Sequence, residues 1–118
     1  MKHATLEQWN WATLMATQAL IGLVSPNFRM VTLYLDNDAW RFVITLRVED
    51  KQDRIAADEI TEDFFLSLAD IRHLIGEDLY MDGEAEILIT ESEIPFPSQE
   101  DCRVLFRMRE HPLYGDED

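Results

Sequence analysis

The feature that most constrains the fold is the segment between positions 40 and 48, where every second residue is large and apolar. The apolar positions of this alternation are Trp40, Phe42, Ile44, Leu46 and Val48. Arg41, Thr45 and Arg47 occupy three of the four intervening positions. A period of two is typical of a β-strand with one buried face. The segment therefore predicts a strand in a sheet whose other face is in contact with solvent.

Two segments instead carry the period of a helix. The first predicted helix covers residues 5–24, which contain no proline. Thr5 can cap its start, and Pro26 follows its end. The apolar stripe predicted for this helix consists of Trp11, Leu14, Met15, Gln18, Ile21 and Gly22. Residues 53–74 form the second predicted helix. Its stripe consists of Ile60, Phe64, Leu68, Ile71 and Ile75.

Three further strands complete the pattern, and they are predicted at residues 28–35, 84–90 and 103–109. The resulting order is α-β-β-α-β-β. We therefore predict a single α+β domain over residues 1–118, with two helices packed on one face of a four-stranded antiparallel sheet. Residues 111–118 are expected to form a frayed tail.

The charge balance restricts the partners of the chain. Ten Lys and Arg residues stand against 24 Asp and Glu residues, which gives a formal net charge of −14. Such a surface disfavours nucleic acid and attracts basic macromolecules. Acidity can also serve solubility alone, and that interpretation stays open.

Motifs of catalysis are missing from the sequence. It has no GxGxxG, P-loop, CxxC, HExxH or GxSxG pattern, and Cys102 is its one cysteine. We therefore expect no enzyme activity, no cofactor and no metal. The N-terminus lacks the apolar region of a signal peptide, so the cytoplasm is the expected location and no membrane is involved. A monomer is expected.

Acidic residues cluster at two places that could bind a basic partner. Asp58, Glu59, Glu62 and Asp63 lie at helical spacing in the second predicted helix, and Asp36 and Asp38 lie in the predicted turn between two strands. Like charges at i and i+4 repel each other, and a basic partner would relieve that repulsion. The alternative interpretation is a helix face that is merely solvated.

Arginines are concentrated at predicted outward strand positions. They are Arg41, Arg47, Arg103, Arg107 and Arg109, and Glu84 and Glu86 are expected on the same sheet face. Cross-strand ion pairing explains this pattern. The alternative is a patch that binds a carboxylate or a phosphate.

Residues 19–29, ALIGLVSPNFR, together with Trp40, carry a resemblance to a known group. The chain resembles the small acidic immunity proteins of bacterial contact-dependent inhibition and polymorphic toxin systems. This resemblance implies a protein that binds a cognate toxin domain, commonly a basic nuclease, and blocks its active site. It transfers no binding residues. The same stretch also has a structural interpretation, because Pro26 ends a helix and Phe28 begins a strand.

Two other functions remain open. The chain could be a non-catalytic structural or regulatory module that self-associates through an exposed strand edge. It could also be an enzyme for a small molecule, in which Arg41, Arg107 and a carboxylate share a site on the sheet face.

Overall fold

The elements of the fold follow the predicted order. A computed structural model describes residues 5–36, 39–71, 83–95, 97 and 102–108. Its helices and strands are α1 (Leu6–Leu20), β1 (Phe28–Asp36), β2 (Ala39–Leu46), α2 (Lys51–Asp70), β3 (Gly83–Ile89) and β4 (Cys102–Arg107). The predicted α+β class and the α-β-β-α-β-β order are confirmed. The predicted tail, residues 111–118, lies outside the described residues.

The four strands form one mixed sheet in the order β3-β2-β1-β4. β1 is antiparallel to β2 and to β4, whereas β2 and β3 are parallel. The prediction of a fully antiparallel sheet is therefore wrong. The reason is that α2 connects β2 to β3 and returns the chain to the end of the sheet where β2 began.

The core lies between the helices and one face of the sheet. β1 and β2 contribute side chains at alternate positions, and α2 contributes its predicted stripe from Ile60 through Phe64 to Leu68. The strand residues of this core cluster are Phe28, Val31, Leu33, Leu35, Trp40, Phe42, Ile44 and Leu46. The predicted burial of every second residue in β2 is confirmed from Trp40 to Leu46. It does not extend to Val48, which lies beyond the strand and is exposed.

The predicted stripe of helix α1 is wrong in part, because Trp11 and Met15 pack against the core but Leu14 and Ile21 do not. Leu14 and Ile21 are 45% and 76% exposed. The buried residues of this helix are Trp9, Ala12, Ala16, Ala19 and Leu20. Three of these five residues are alanines, which let the backbone of α1 approach its neighbours closely. The helix also ends earlier than predicted, because Gly22 adopts a φ of +83°.

Aromatic rings connect the elements inside the core. Trp9 of α1 packs edge to face on Trp40 of β2, with centroids 5.1 Å apart. Trp40 contacts Phe64 of α2 at 6.3 Å, and Phe64 contacts Phe42 at 5.0 Å. The rings thus join both helices to the central strand β2, each through a favourable perpendicular arrangement.

The second face of the sheet is less exposed than predicted. Thr32 and Thr45 point away from the helices, yet they are 0% and 3% exposed. Both lie on the two central strands, where neighbours on either side shield them. Arg29 is also buried, and its guanidinium donates to the carbonyl oxygens of Thr90 and Ser92 at 2.6 and 2.8 Å. Arg29 of β1 thereby holds the segment that follows β3 in place.

Candidate functional site

The four acidic residues predicted in the second helix share the outer surface of α2. Asp58, Glu59, Glu62 and Asp63 are all exposed. They lie opposite the side of α2 that is buried in the core. The structure therefore brings this predicted cluster together on one rigid element.

Two exposed apolar residues flank the carboxylates. Ile55 is 45% exposed and Leu66 is 61% exposed. Together with Glu59 and Glu62 they follow the spacing 4, 3, 4, so they share one stripe of the helix. Three helical turns separate them, which is about 16 Å. We call Ile55, Asp58, Glu59, Glu62, Asp63 and Leu66 the acidic face of α2.

Sequence reasoning missed the apolar part of this face. Ile55 and Leu66 are large apolar residues of α2 that the predicted core stripe leaves out. Their position outside the core stripe could have identified them from the sequence. An apolar side chain at such a position indicates either a second contact or an exposed apolar surface.

The negative charge of the acidic face is not balanced within α2. Residues 55–70 contain no lysine or arginine, and the two basic residues of the helix, Lys51 and Arg54, lie in its first turn. Arg54 binds Glu49, with Nη2 2.7 Å from Oε1. This hydrogen bond lowers the pKa of Glu49 and raises the pKa of Arg54. Within the described residues, neither Glu59 nor Glu62 accepts a hydrogen bond or forms an ion pair.

Hydrogen bonds fix the start of α2 and so orient the acidic face. Asp50 caps the helix by accepting from the backbone N–H of Asp53 at 2.9 Å. The carboxylate of Asp53 is buried and accepts from the side-chain amide of Asn27 at 2.8 Å. Asn27 also bonds to the backbone of Val48. The helix is therefore anchored to the start of β1 and to the chain that follows β2.

The second predicted acidic cluster consists of Asp36 and Asp38, and only the backbone of Asp36 lies within the described residues. Asp36 ends β1, where its backbone lies opposite Ala39. Asp38 lies outside the described residues, as does the side chain of Asp36. The backbone of Asp36 lies at the end of the sheet where Trp40 contacts Phe64 of α2.

The prediction that the strand arginines share the outward face of the sheet is wrong for Arg103. Arg103 lies on the helix side of the sheet, where its guanidinium carbon is 4.4 Å from the ring centroid of Trp9. A register shift in the β1–β4 pairing, between Val31 and Thr32, breaks the alternation of β4 and moves Arg103 to that side. Arg109 lies outside the described residues, as does the side chain of Glu84.

Arg41 and Arg107 each bind a different partner. Arg41 binds Glu86 at 2.9 Å, which agrees with the predicted cross-strand ion pair. Arg107 donates to the carbonyl oxygen of Ile94 at 2.8 Å. Arg41 lies opposite Tyr34 and Arg107 opposite Met30. These positions are about 13 Å apart along β1, so the structure does not bring the two arginines into one site.

Two other features are missing from the described part of the chain. There, no group of three or more His, Cys, Asp and Glu residues is arranged to hold a metal ion. No helix among the same residues has the length and apolar character needed to cross a membrane. In comparisons with known proteins, the sequence matches no family model and no curated protein.

Proposed function

We propose that this chain is an immunity-type protein that binds and neutralises a cognate toxin domain, a basic nuclease, through the acidic face of α2. One observation carries this proposal. Four exposed carboxylates lie between two exposed apolar side chains on a helix that is anchored to the sheet at its start.

The charges of the acidic face suit a nuclease because a nuclease must itself attract a polyanion. Its nucleic-acid site carries lysines and arginines that contact phosphates. Carboxylates at i, i+3 and i+4 spacing on α2 would occupy such a site and exclude the phosphates. The net charge of −14 would accelerate the encounter over a longer range.

The apolar residues give the acidic face a second contribution. Surface charge alone speeds association and adds little affinity, whereas desolvated apolar side chains slow dissociation. Ile55 and Leu66 lie at the two ends of the charged region, where each can enter a pocket on the partner. Because α2 is held in place before binding, little ordering of the backbone opposes the association.

The proposal predicts that a toxin domain is encoded beside the gene for this chain, and its test measures binding to that domain. We expect the double variant Glu59→Lys/Glu62→Lys to bind it at least tenfold more slowly at low salt, with a smaller difference at high salt. Glu7→Lys/Glu93→Lys is the matched control, because it changes the net charge equally at exposed positions elsewhere. Equal association rates for the two double variants would exclude the acidic face as the binding surface.

A self-associating module is the second candidate function, and the outer edge of β3 favours it. β3 is an edge strand of the sheet. Sedimentation over a range of protein concentrations separates the two functions, because a constant monomer mass excludes self-association.

A further inference from the structure

The two edges of the sheet are protected to different degrees. The β4 edge has a register shift in its pairing with β1 and carries Arg103 and Arg107. β3 pairs with β2 without any register shift, contains no proline, and exposes Leu88 and Ile89. Proteins usually blunt their edge strands with bulges, charges or proline. Both edge strands carry two charged residues, so the regular pairing of β3 with β2 is what makes β3 the more open edge among the described strands.

The backbone of β3 presents hydrogen-bonding groups at that edge. The N–H of Thr90 donates to the carbonyl oxygen of Leu46 at 3.0 Å, toward β2. In a parallel ladder the backbone groups of successive residues point alternately toward and away from the neighbouring strand. The N–H and C=O groups of Ala85, Ile87 and Ile89 therefore point outward, where no described strand pairs with them.

The side chains of β3 give the edge a distinct character on each face. Ala85 and Ile87 are partly buried and pack against the core on the helix side, and Ile89 continues their row. On the other face of the sheet, Glu86 is exposed and forms an ion pair with Arg41. Leu88 is the next residue of β3 on that face, and it is also exposed. A strand added here would place alternate side chains beside an apolar row and beside a carboxylate.

We propose that the outer edge of β3 is an interaction surface that accepts an extended segment of a different polypeptide, in which apolar side chains alternate with basic ones. Backbone hydrogen bonds to Ala85, Ile87 and Ile89 supply the pairing, and the alternation supplies the selectivity. A second copy of this chain is the less suitable occupant, because two molecules of net charge −14 repel each other. The surface is separate from the acidic face and does not depend on its function.

The probe is a blocked peptide of about eight residues in which lysine alternates with valine. Added to the 118-residue chain, it is expected to slow hydrogen exchange at the amides of Ala85, Ile87 and Ile89. The control peptide has the same sequence with every second amide N-methylated, which keeps the charge and removes the pairing. It is expected to bind at least about fivefold more weakly, since each lost hydrogen bond costs about 1 kcal/mol.

Two variants at one position test the edge from the side of the protein. Ile89→Pro removes an outward N–H without removing a hydrogen bond to β2, whereas Ile89→Ala keeps the N–H. We expect only Ile89→Pro to weaken the peptide at least about fivefold. Equal binding of the two peptides, or protection confined to α2, would overturn the proposal. So would a dimer of the protein that Ile89→Pro dissociates, because the occupant of the edge would then be a second copy.

Discussion

The side-chain amide of Asn27 pairs with the backbone of Val48 as a neighbouring strand would. Its Nδ2 donates to the carbonyl oxygen of Val48 at 2.8 Å, and its Oδ1 accepts from the N–H of Val48 at 3.0 Å. The same Nδ2 also donates to the carboxylate of Asp53 at 2.8 Å. One side chain thus joins β1, the end of β2 and the first turn of α2.

Asn27→Ala should therefore destabilise the fold. The substitution leaves the backbone of Val48 and the buried Asp53 carboxylate without these partners, and we expect a loss of about 1–3 kcal/mol. Urea unfolding followed by circular dichroism measures it. Asn10→Ala is the control, because Asn10 is exposed on α1, and its effect should stay within about 0.5 kcal/mol. Similar losses for the two variants would contradict a special role for Asn27.

The buried face of α1 can be tested with a pair of substitutions. Ala16 is 0% exposed, so Ala16→Leu should overpack the core and cost about 1–3 kcal/mol. Leu14→Ala removes an exposed side chain and should change the stability by about 0.5 kcal/mol or less. Thermal unfolding of both variants gives the comparison. A large loss for Leu14→Ala with none for Ala16→Leu would restore the stripe predicted from the sequence.

Neutralising the acidic face should make the protein more stable. Glu59 and Glu62 repel each other and their acidic neighbours, so Glu59→Gln and Glu62→Gln should each add about 0.2–0.5 kcal/mol to the free energy of unfolding. The gain should shrink at high salt, because screening already weakens the repulsion. Urea unfolding at two salt concentrations checks this prediction. A loss of stability at low salt would show that the carboxylates have favourable partners in the folded state.

The ion pair of Arg54 with Glu49 predicts a pH dependence of known sign. Because the hydrogen bond from Arg54 lowers the pKa of Glu49, the pair stabilises the fold above the unfolded pKa of Glu49. This stabilisation disappears as the pH falls through the lowered pKa. Arg54→Gln should raise the Glu49 pKa toward its ordinary value, because the hydrogen bond from Arg54 is the main cause of the lowering. A carboxyl-detected NMR titration measures that shift, and an unchanged Glu49 pKa in the variant would contradict the pairing.

Much of this fold was predictable, because its clearest elements have large apolar residues at regular spacing. The alternation from Trp40 to Leu46 predicted a strand, and the period from Ile60 to Leu68 predicted a helix. The face of α1 was not predictable in the same way, since Ala12 and Ala16 have short side chains that carry little hydrophobic signal.

The direction of β3 and the side occupied by Arg103 depend on relationships that no local pattern contains. The first depends on how α2 returns the chain, and the second on a register shift between β1 and β4. For the candidate site, the acidic residues of α2 were predictable from charge and spacing. Ile55 and Leu66 were missed, because only the packing of α2 shows which of its apolar residues stay outside the core.

The parallel pairing of β2 with β3 also has a consequence for the order of folding. Two residues separate β1 from β2 in the sequence, whereas residues 47–82 separate β2 from β3. Closing the longer loop costs more chain entropy. The pairing of β3 with β2 offsets this cost only after α2 has formed between them. We therefore expect β3 to join the sheet after the transition state, so that substitutions in β3 accelerate unfolding and leave the refolding rate almost unchanged.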